Sequence, residues 1–470
     1  MKAELSDGGI SGSWQVGRRR IAQILGVAFL LCTAKPTVTA GGPDSGANKL
    51  ITDPLSRSDA INLALRQNPS ILREQKNVAA AHGVVIQTRA IVVPKLQLTG
   101  NYKAVEDSDV DKPPASVPGF SFGTSQSWAT QARLVQSIYE GGRMASALRV
   151  ARLTQEQAVL NYQTTVAETV LNVQVAYDDV LLAEQQITVQ EASVELLGKE
   201  LTDTSRRYEA GTVPRFNVLR AEVELANARP KLIRARNTFR IAKNNLANLL
   251  GFNVARETVE DIPLQLTGKL EAEPYEVKLP EAIGQALERR TELKASRKAQ
   301  SLKQEEVVNA RAGYKPSLQA FAGYDVHSSL FTNDLTQELH GWITGVQLNW
   351  DIFDGFKTRG KVQETQALYE RAGVELDDLS RRIELEVRTA FSNFIESREL
   401  LESQKKVVEE AEEALRLART RSEAGTGTQL DVLSAQTALT EARTTQIQAL
   451  HDYSVARARL ERAVGGSSQN

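Results

Sequence analysis

The stretch from Arg143 to Ala210 constrains this chain more than any other. It holds no proline and one glycine, Gly198. At about 1.5 Å per residue it would form a helix roughly 100 Å long, wider than an ordinary globular domain. Its apolar residues keep a strict period: Val166, Val173, Val180, Ile187, Val194, Leu201 and Tyr208 follow one another at intervals of seven. A second seam, Val175, Leu182, Val189 and Leu196, has the same spacing. The seams lie about 200° apart around the axis. A two-stranded coiled coil needs only one seam. Two seams on opposing flanks fit a helix packed between two neighbours, as in the wall of a tube. A long dimeric coiled coil with apolar residues scattered on its outer face fits the stretch alone equally well.

The chain repeats itself. Residues 64–102 align with 286–324 at an offset of 222, matching Ala64-Leu65 to Ala286-Leu287, Pro94 to Pro316 and Tyr102 to Tyr324. From Ile138 to Gly251 the offset is 214: Ile138-Tyr139-Glu140-Gly141 matches Ile352-Phe353-Asp354-Gly355, and Glu209-Ala210-Gly211-Thr212 matches Glu423-Ala424-Gly425-Thr426. The eight extra residues of the first copy fall between Tyr102 and Ile138, in a segment holding Pro113, Pro114, Pro118 and Gly119, which reads as a loop. The expected repeats are 41–251 and 281–465, joined by a linker at 252–280 and followed by a tail at 466–470.

Each repeat has one grammar. A helix enters near Pro69, runs to about Val92 and stops at Pro94. A β-hairpin follows at 95–139. Leu96, Leu98, Gly100 and Tyr102 share one strand face; Trp128, Ala132, Leu134 and Ile138 share a face of the return strand. The long helix 143–210, a turn at Gly211–Pro214 and a return helix 215–250 complete the unit. The second copy reads as a hairpin at 316–353, a long helix at 357–424 and a return helix at 429–464. Its return strand alternates through Trp342, Thr344, Val346, Leu348, Trp350 and Ile352. The first seam recurs as Val387, Phe394, Leu401, Val408 and Leu415. The entry and return helices, roughly 36 Å and 54 Å, together nearly match one long helix. Pro230 falls inside the first return helix, where a kink is expected. The linker, with Leu50–Arg66 and the C-terminus, is expected to wrap the middle of the helical bundle.

The strands are apolar on one side with aromatics near their ends, a pattern that suits crossing a bilayer. Four strands cannot close, and lipid tolerates only closed barrels, so a membrane-spanning barrel here must be shared between chains. A small soluble sheet packed on the helices is the other reading. Residues 1–40 read as a secretory signal: Arg18-Arg19-Arg20, an apolar run from Ile21 to Leu31, and Val38-Thr39-Ala40 before the cut. The only cysteine, Cys32, lies within it behind Leu31, which argues against a lipid anchor. From Gly41 onward the charge is about −4 with no basic tract, which argues against a nucleic-acid partner. His82, His327, His340 and His451 show no metal spacing, and no phosphate loop, nucleophile elbow or cofactor motif appears. No catalytic residue is assigned.

Taken in order and twice over, these signatures resemble one family, the TolC-like outer-membrane factors of efflux and type I secretion. The resemblance covers residues 55–465. It rests on Asp59-Ala60-Ile61…Asn68-Pro69 and Glu281-Ala282-Ile283, and on the corners with Gly141-Gly142 and with Gly355. It rests also on the tips Arg207–Thr212 and Ser422–Thr426, followed by Val218-Leu219 and Asp431-Val432-Leu433. It implies a homotrimer with a shared 12-stranded transmembrane β-barrel, four strands per chain, continuous with a trimeric α-barrel tunnel of long antiparallel hairpins. The expected place is the Gram-negative outer membrane, extending into the periplasm. The tips, with Gly211, Thr212, Val213, Val218, Leu219, Gly425, Thr426, Val432 and Leu433, would dock on a periplasmic adaptor driven by an inner-membrane transporter, ABC or proton-driven. Asp431 matches a gate-ring aspartate of the family. The other gate positions depart: Ser422 stands where a tyrosine is found, Gly427 where an arginine is, Ser434 in place of a second aspartate and Asn217 in place of an acidic partner. Tyr208 has no aromatic counterpart at Ser422. These departures imply a gate that is weaker or held by other contacts. The rival class is a periplasmic or cell-surface coiled-coil scaffold without a pore.

Overall fold

The structure is a computed structural model and describes residues 54–106, 124–252, 262–329 and 334–466. The expected signal segment with Cys32, and the proline-rich loop residues 113–119, lie outside the described residues. Helices α1 (Arg57–Gln67) and α2 (Pro69–Arg89) lead into strands β1 (Lys95–Ala104) and β2 (Gln126–Glu140), then α3 (Arg143–Glu209) and α4 (Arg215–Leu249). The same series follows as α5 (Leu279–Arg289), α6 (Thr291–Arg311), β3 (Ser317–Ser328), β4 (Glu338–Asn349), α7 (Lys357–Glu423) and α8 (Gln429–Val464). Both long helices have 67 residues.

The structure adds one element to those expected and moves two boundaries. Ahead of the helix that starts at Pro69, residues 57–67 form a helix of their own, and the two are joined at Asn68. The Asn68 side chain accepts from the Ser70 and Ile71 amides and donates to the Leu249 carbonyl at 2.7 Å. Arg290 holds the same joint in the second repeat. Helix α2 ends at Arg89 instead of Val92, because the residues before Pro94 are steered out of the helical region. Strand β4 ends at Asn349, so Trp350 and Ile352 lie beyond it. Its partner there is Ser317, and the next residue, Pro316, has no amide to continue the ladder. Pro230 lies inside α4 without ending it.

Helix α3 is the hub. It packs against α2 and α6 along the part nearer the sheet, and against α4 and α8 along the part nearer the tip, with α1 across its middle. This answers the question left by its two seams: α3 has neighbours on both flanks. Leu196 of the second seam packs with Leu415, Val432 and Leu439 of the other repeat, while Val194 of the first lies with Leu225 and Ala228 of α4. Helix α7 packs against α5, α6 and α8. Its seam Val387, Phe394, Leu401, Val408 and Leu415 is buried, but Val374, Leu385, Leu400, Val407 and Leu417 on another side are exposed.

The return helices carry a pattern the sequence reading missed. Ala221, Ala228, Ala235 and Ala242 on α4, and Ala442, Ala449, Ala456 and Ala463 on α8, are buried at intervals of seven. Small residues in such a row let two helix backbones approach closely. Two larger cores lie near the middle. One gathers Leu55, Ala60, Val173, Tyr177, Val180 and Leu246 with Leu264 and Leu270 of the linker. The other gathers Leu293, Ile383, Val387, Phe394, Tyr453 and Leu460, with Tyr275 of the linker against it. The linker is also tied by a bridge between Leu55 and Leu266.

Candidate functional site

The four strands form one antiparallel sheet in chain order, β1-β2-β3-β4. The register brings Leu98 opposite Ala132, Ala132 opposite Tyr324 and Tyr324 opposite Trp342. The even-numbered strand residues up to a bulge at Ile138 therefore share one face, whose large side chains are mostly apolar: Leu96, Leu98, Tyr102, Trp128, Leu134, Leu318, Tyr324, Trp342, Val346 and Leu348, with Gln126, Gln136, Glu338 and His340 among them. Of these, Trp342 is 81% exposed and Leu96 74%. The odd-numbered face carries Gln97, Asn101, Lys103, Gln131, Arg133, Gln319, Asp325, Gln347 and Asn349, with the Arg133 guanidinium over the Phe321 ring at 4.0 Å. Such a face of bare apolar side chains is costly in water and favourable in hydrocarbon. Tyr324 and Trp342 stack edge to face toward one end, and Phe353 and Phe356 at the other, beside exposed Trp350 and Ile352. No helix among the described residues is long and apolar enough to cross a membrane.

Strand passes to helix through left-handed corners. Gly141 and Gly142 have φ of 65° and 100°, and Gly355 and Phe356 have 65° and 67°. A Cβ on Gly141 would lie 2.7 Å from the Ala312 carbonyl oxygen, so this corner seats directly on the entry to β3. Nothing lies near Gly355 within the chain.

The two tips are built alike. Gly211 (φ 73°) and Gly425 (φ 74°) close the long helices. The Thr212 amide and hydroxyl both donate to the Arg207 carbonyl at 2.8 Å; those of Thr426 donate to the Arg421 carbonyl at 3.0 and 3.3 Å. They differ in how the return helix starts. On α8 the Asp431 carboxylate accepts from the Thr428 amide at 2.9 Å and hydroxyl at 2.7 Å, a reciprocal cap. Those hydrogen bonds, backbone first, hold the exposed Asp431 carboxyl below its usual range. On α4 the cap position is Pro214, which has no amide to offer, and Asn217 stands where Asp431 does. The missing acidic partner at Asn217 thus has a local cause. Gly427 has one too: a Cβ there would lie 2.9 Å from the Arg421 Cβ and 3.1 Å from its backbone. Arg421, which the sequence reading did not single out, adds a positive charge near Asp431.

Of the remaining positions, Tyr208 and Ser434 are exposed, and Ser422, Asn217, Val213 and Val218 are partly buried. Leu219 is 48% exposed. Val432 and Leu433 are buried inside the chain, so their side chains do not reach the tip surface where docking was expected of them. The tips are tied across the repeats by Gln429, whose amide donates to the Thr204 hydroxyl at 2.5 Å.

Long paired helical hairpins continuous with a one-sided apolar sheet define the class: a duct with a helical part and a membrane part. The family profile for outer membrane efflux proteins matches residues 60–252 and 282–466, and the chain belongs to that family. It is 24% identical to the outer membrane protein TolC of Vibrio cholerae, over 88% of this chain and 91% of that one. It is 24% identical to the alkaline protease secretion protein AprF of Pseudomonas aeruginosa, over 86% and 82%. Among solved structures, the outer membrane protein VceC of Vibrio cholerae superposes with a TM-score of 0.72 at 19% identity, covering 87% of this chain and 96% of that one.

Proposed function

We propose that three copies of this chain close into one outer-membrane exit duct for efflux or type I secretion. Its place in the outer membrane and its role as an exit duct follow from the family; the assembly and partners are our reading. One observation carries it: the contact between the two repeats inside the chain leaves matching, unfilled surfaces at both ends. Inside the chain β2 pairs with β3, α3 packs on α6 and α8, and Gly141 seats on Ala312. The repeat alignment gives the same contact between copies: β4 with β1, α7 with α2 and α4, and Gly355 with Ala90. Among the described residues, the outer edges of β1 and β4 are unpaired in the sheet. Leu433, Ile447 and Val455 of α8 pack within the chain; their counterparts on α4, Leu219, Ile233 and Ile241, are exposed. A second copy would cover them. Three chains give 12 strands, within the range of closed barrels.

In this duct the even strand face meets outer-membrane lipid. The tips, Gly211–Val213 and Gly425–Gly427, meet a periplasmic adaptor, and an inner-membrane transporter supplies the energy. The chain itself conducts passively and performs no chemistry. Three Asp431 carboxylates around one axis favour cations at the periplasmic mouth, a preference that the nearby Arg421 weakens. Val432, Leu433 and Leu219 then hold seams instead of touching the adaptor. The test is the purified protein in planar bilayers, with migration of heated and unheated samples compared on gels. Heat-modifiable oligomers with single-channel conductance support the duct. A soluble protein without conductance overturns it in favour of a scaffold.

A further inference from the structure

The seam between α3 and α8 joins the two repeats, and one imidazole sits in it. His451 of α8 has a side chain only 11% exposed. Its Nε2 lies 2.8 Å from Asp179 Oδ1 on α3, and its Nδ1 lies 3.0 Å from Asp452 Oδ1 on α8. A neutral imidazole has one donor and one acceptor nitrogen, so it can satisfy only one of these oxygens and turns a lone pair on the other. The imidazolium donates to both. Beside it, buried Asp178 accepts from Arg57 of α1 at 2.5 Å and from the Ser454 hydroxyl at 2.6 Å, which leaves its charge already engaged. Asp452 also accepts from the Gln448 amide at 2.9 Å. Arg382, Glu386 and Glu396 of α7 line the groove that Asp452 shares.

The repeat alignment sharpens the point. The counterparts of His451 and Asp179 are Asn237 and Asn393, and both are exposed in the chain. At the seam between copies the same place would hold two amides, which do not titrate.

We propose that His451 is a proton-dependent clasp that fastens α3 to α8 within each chain, while the matching seam between copies is indifferent to pH. The α3–α8 contact within the chain does not depend on the trimer; only the contrast with the second seam does. Burial disfavours the charged ring, but the hydrogen bonds it donates to Asp179 and Asp452 outweigh it and raise the imidazole above its ordinary range. The sign follows. A group raised on folding contributes fully below its unfolded value of about 6.5 and loses that contribution as pH climbs through the folded value. The clasp is fastened in acid and released in base. Between His451 and the apolar contacts of Leu196 and Leu197 at the tip end, the α3–α8 seam holds polar residues: Thr440 lies 3.4 Å from Ser193 and Gln436 is buried with both its amide atoms unpartnered.

The test is hydrogen–deuterium exchange of the full-length protein in detergent at pH 6 to 9, corrected for intrinsic exchange. Peptides over residues 172–182 and 447–457 should exchange about tenfold faster at the upper end, the effect of losing one charged hydrogen bond. Peptides over 232–242 and 388–398 should not change. His451→Asn should exchange fast at every pH, and Asp179→Asn should shrink the step. His451→Arg, charged throughout, should stay slow at pH 9. A flat profile in the unaltered protein, or the same step in His451→Asn, overturns the clasp. A step in both peptide pairs overturns the contrast between seams and leaves the clasp standing.

Discussion

Lys298 of α6 and Glu156 of α3 form an ion pair at 2.7 Å that joins the two repeats. Their counterparts, Lys76 of α2 and Glu370 of α7, preserve both charges. If the contact between repeats is reused between copies, Lys76 and Glu370 of neighbouring chains form the same pair. Lys76→Glu or Glu370→Lys alone should destabilise the oligomer, and the double exchange should restore it. The pair is part exposed, so the coupling is modest, about 0.5 kcal/mol per seam. Dissociation of the oligomer on heating in mild detergent, followed through this double-mutant cycle, measures it. Additive losses would mean the two residues never meet.

Gly141 and Gly355 separate folding from assembly. Both have positive φ, so any side chain costs about 1 kcal/mol of backbone strain. Gly141→Ala also drives a Cβ into the Ala312 backbone and should lower the stability of the chain itself. Gly355→Ala meets nothing within the chain, but in the ring it would meet Ala90 of the neighbour. Its yield of folded chain should therefore exceed that of Gly141→Ala, with the loss falling on the oligomer. Chromatographic separation of monomer and oligomer for the two variants distinguishes these outcomes.

The long helices and the strand face were legible because one simple period governs each. The seam from Val166 to Tyr208 and the alternation from Leu96 to Tyr102 are single-element properties. Contacts fixed by a second element were not legible. The end of β4 at Asn349 is set by Pro316 on its partner, since Trp350 and Ile352 continue the alternation on their own strand. The alanine heptads escaped notice because alanine is a weak apolar signal; its role appears only when a second backbone packs close. Val218-Leu219 and Val432-Leu433 look alike in sequence, yet Leu433 is buried and Leu219 exposed. The difference is that α3 lies against α8, while the matching face of α4 is left uncovered within the chain.

Leu219 tests that last distinction. The tip motif counts it among the adaptor-docking residues, whereas the proposed assembly assigns it to a seam between copies. Leu219→Asp should leave the chain folded and abolish the stable oligomer, since a buried, unpaired carboxylate costs several kcal/mol. Leu433→Asp should unfold the lower part of the chain itself. Circular dichroism with light scattering on both variants separates the two effects. A fully oligomeric Leu219→Asp that fails only in export would return Leu219 to the docking surface.

Glu292 sets the acid limit. Burial alone would push its carboxyl up, but hydrogen bonds from Arg290 and Arg462 bring it down to about 2. Arg290 also pairs with Glu386 of α7 at 2.7 Å, so the cluster ties α6, α7 and α8 together. A depressed carboxylate contributes above its unfolded value, about 4.3, and loses that contribution as pH falls toward about 2. The full effect is about 3 kcal/mol at most. Glu292→Gln should lower Tm at pH 7, and the gap to the parent protein should close between about pH 4.5 and 2. A gap that persists at pH 2 would show that packing, not charge, is what the substitution removes.

The tips connect the fold to export most directly. Gly211 and Gly425 end the two long helices, and a Cβ at either would meet nothing within 4 Å. The space is open, so the cost of a side chain is the backbone strain of positive φ, about 1 kcal/mol. That is too little to unfold helices packed against α4 and α8 along the part nearer the tip. A bulky residue would instead cover the surface offered to an adaptor. Gly211→Trp and Gly425→Trp should leave oligomers and single-channel conductance intact while abolishing export in cells. Export measured beside the heat-modifiable oligomer band decides it. Unchanged export in both variants would move the docking surface away from these turns and toward the exposed flanks of α4 and α7.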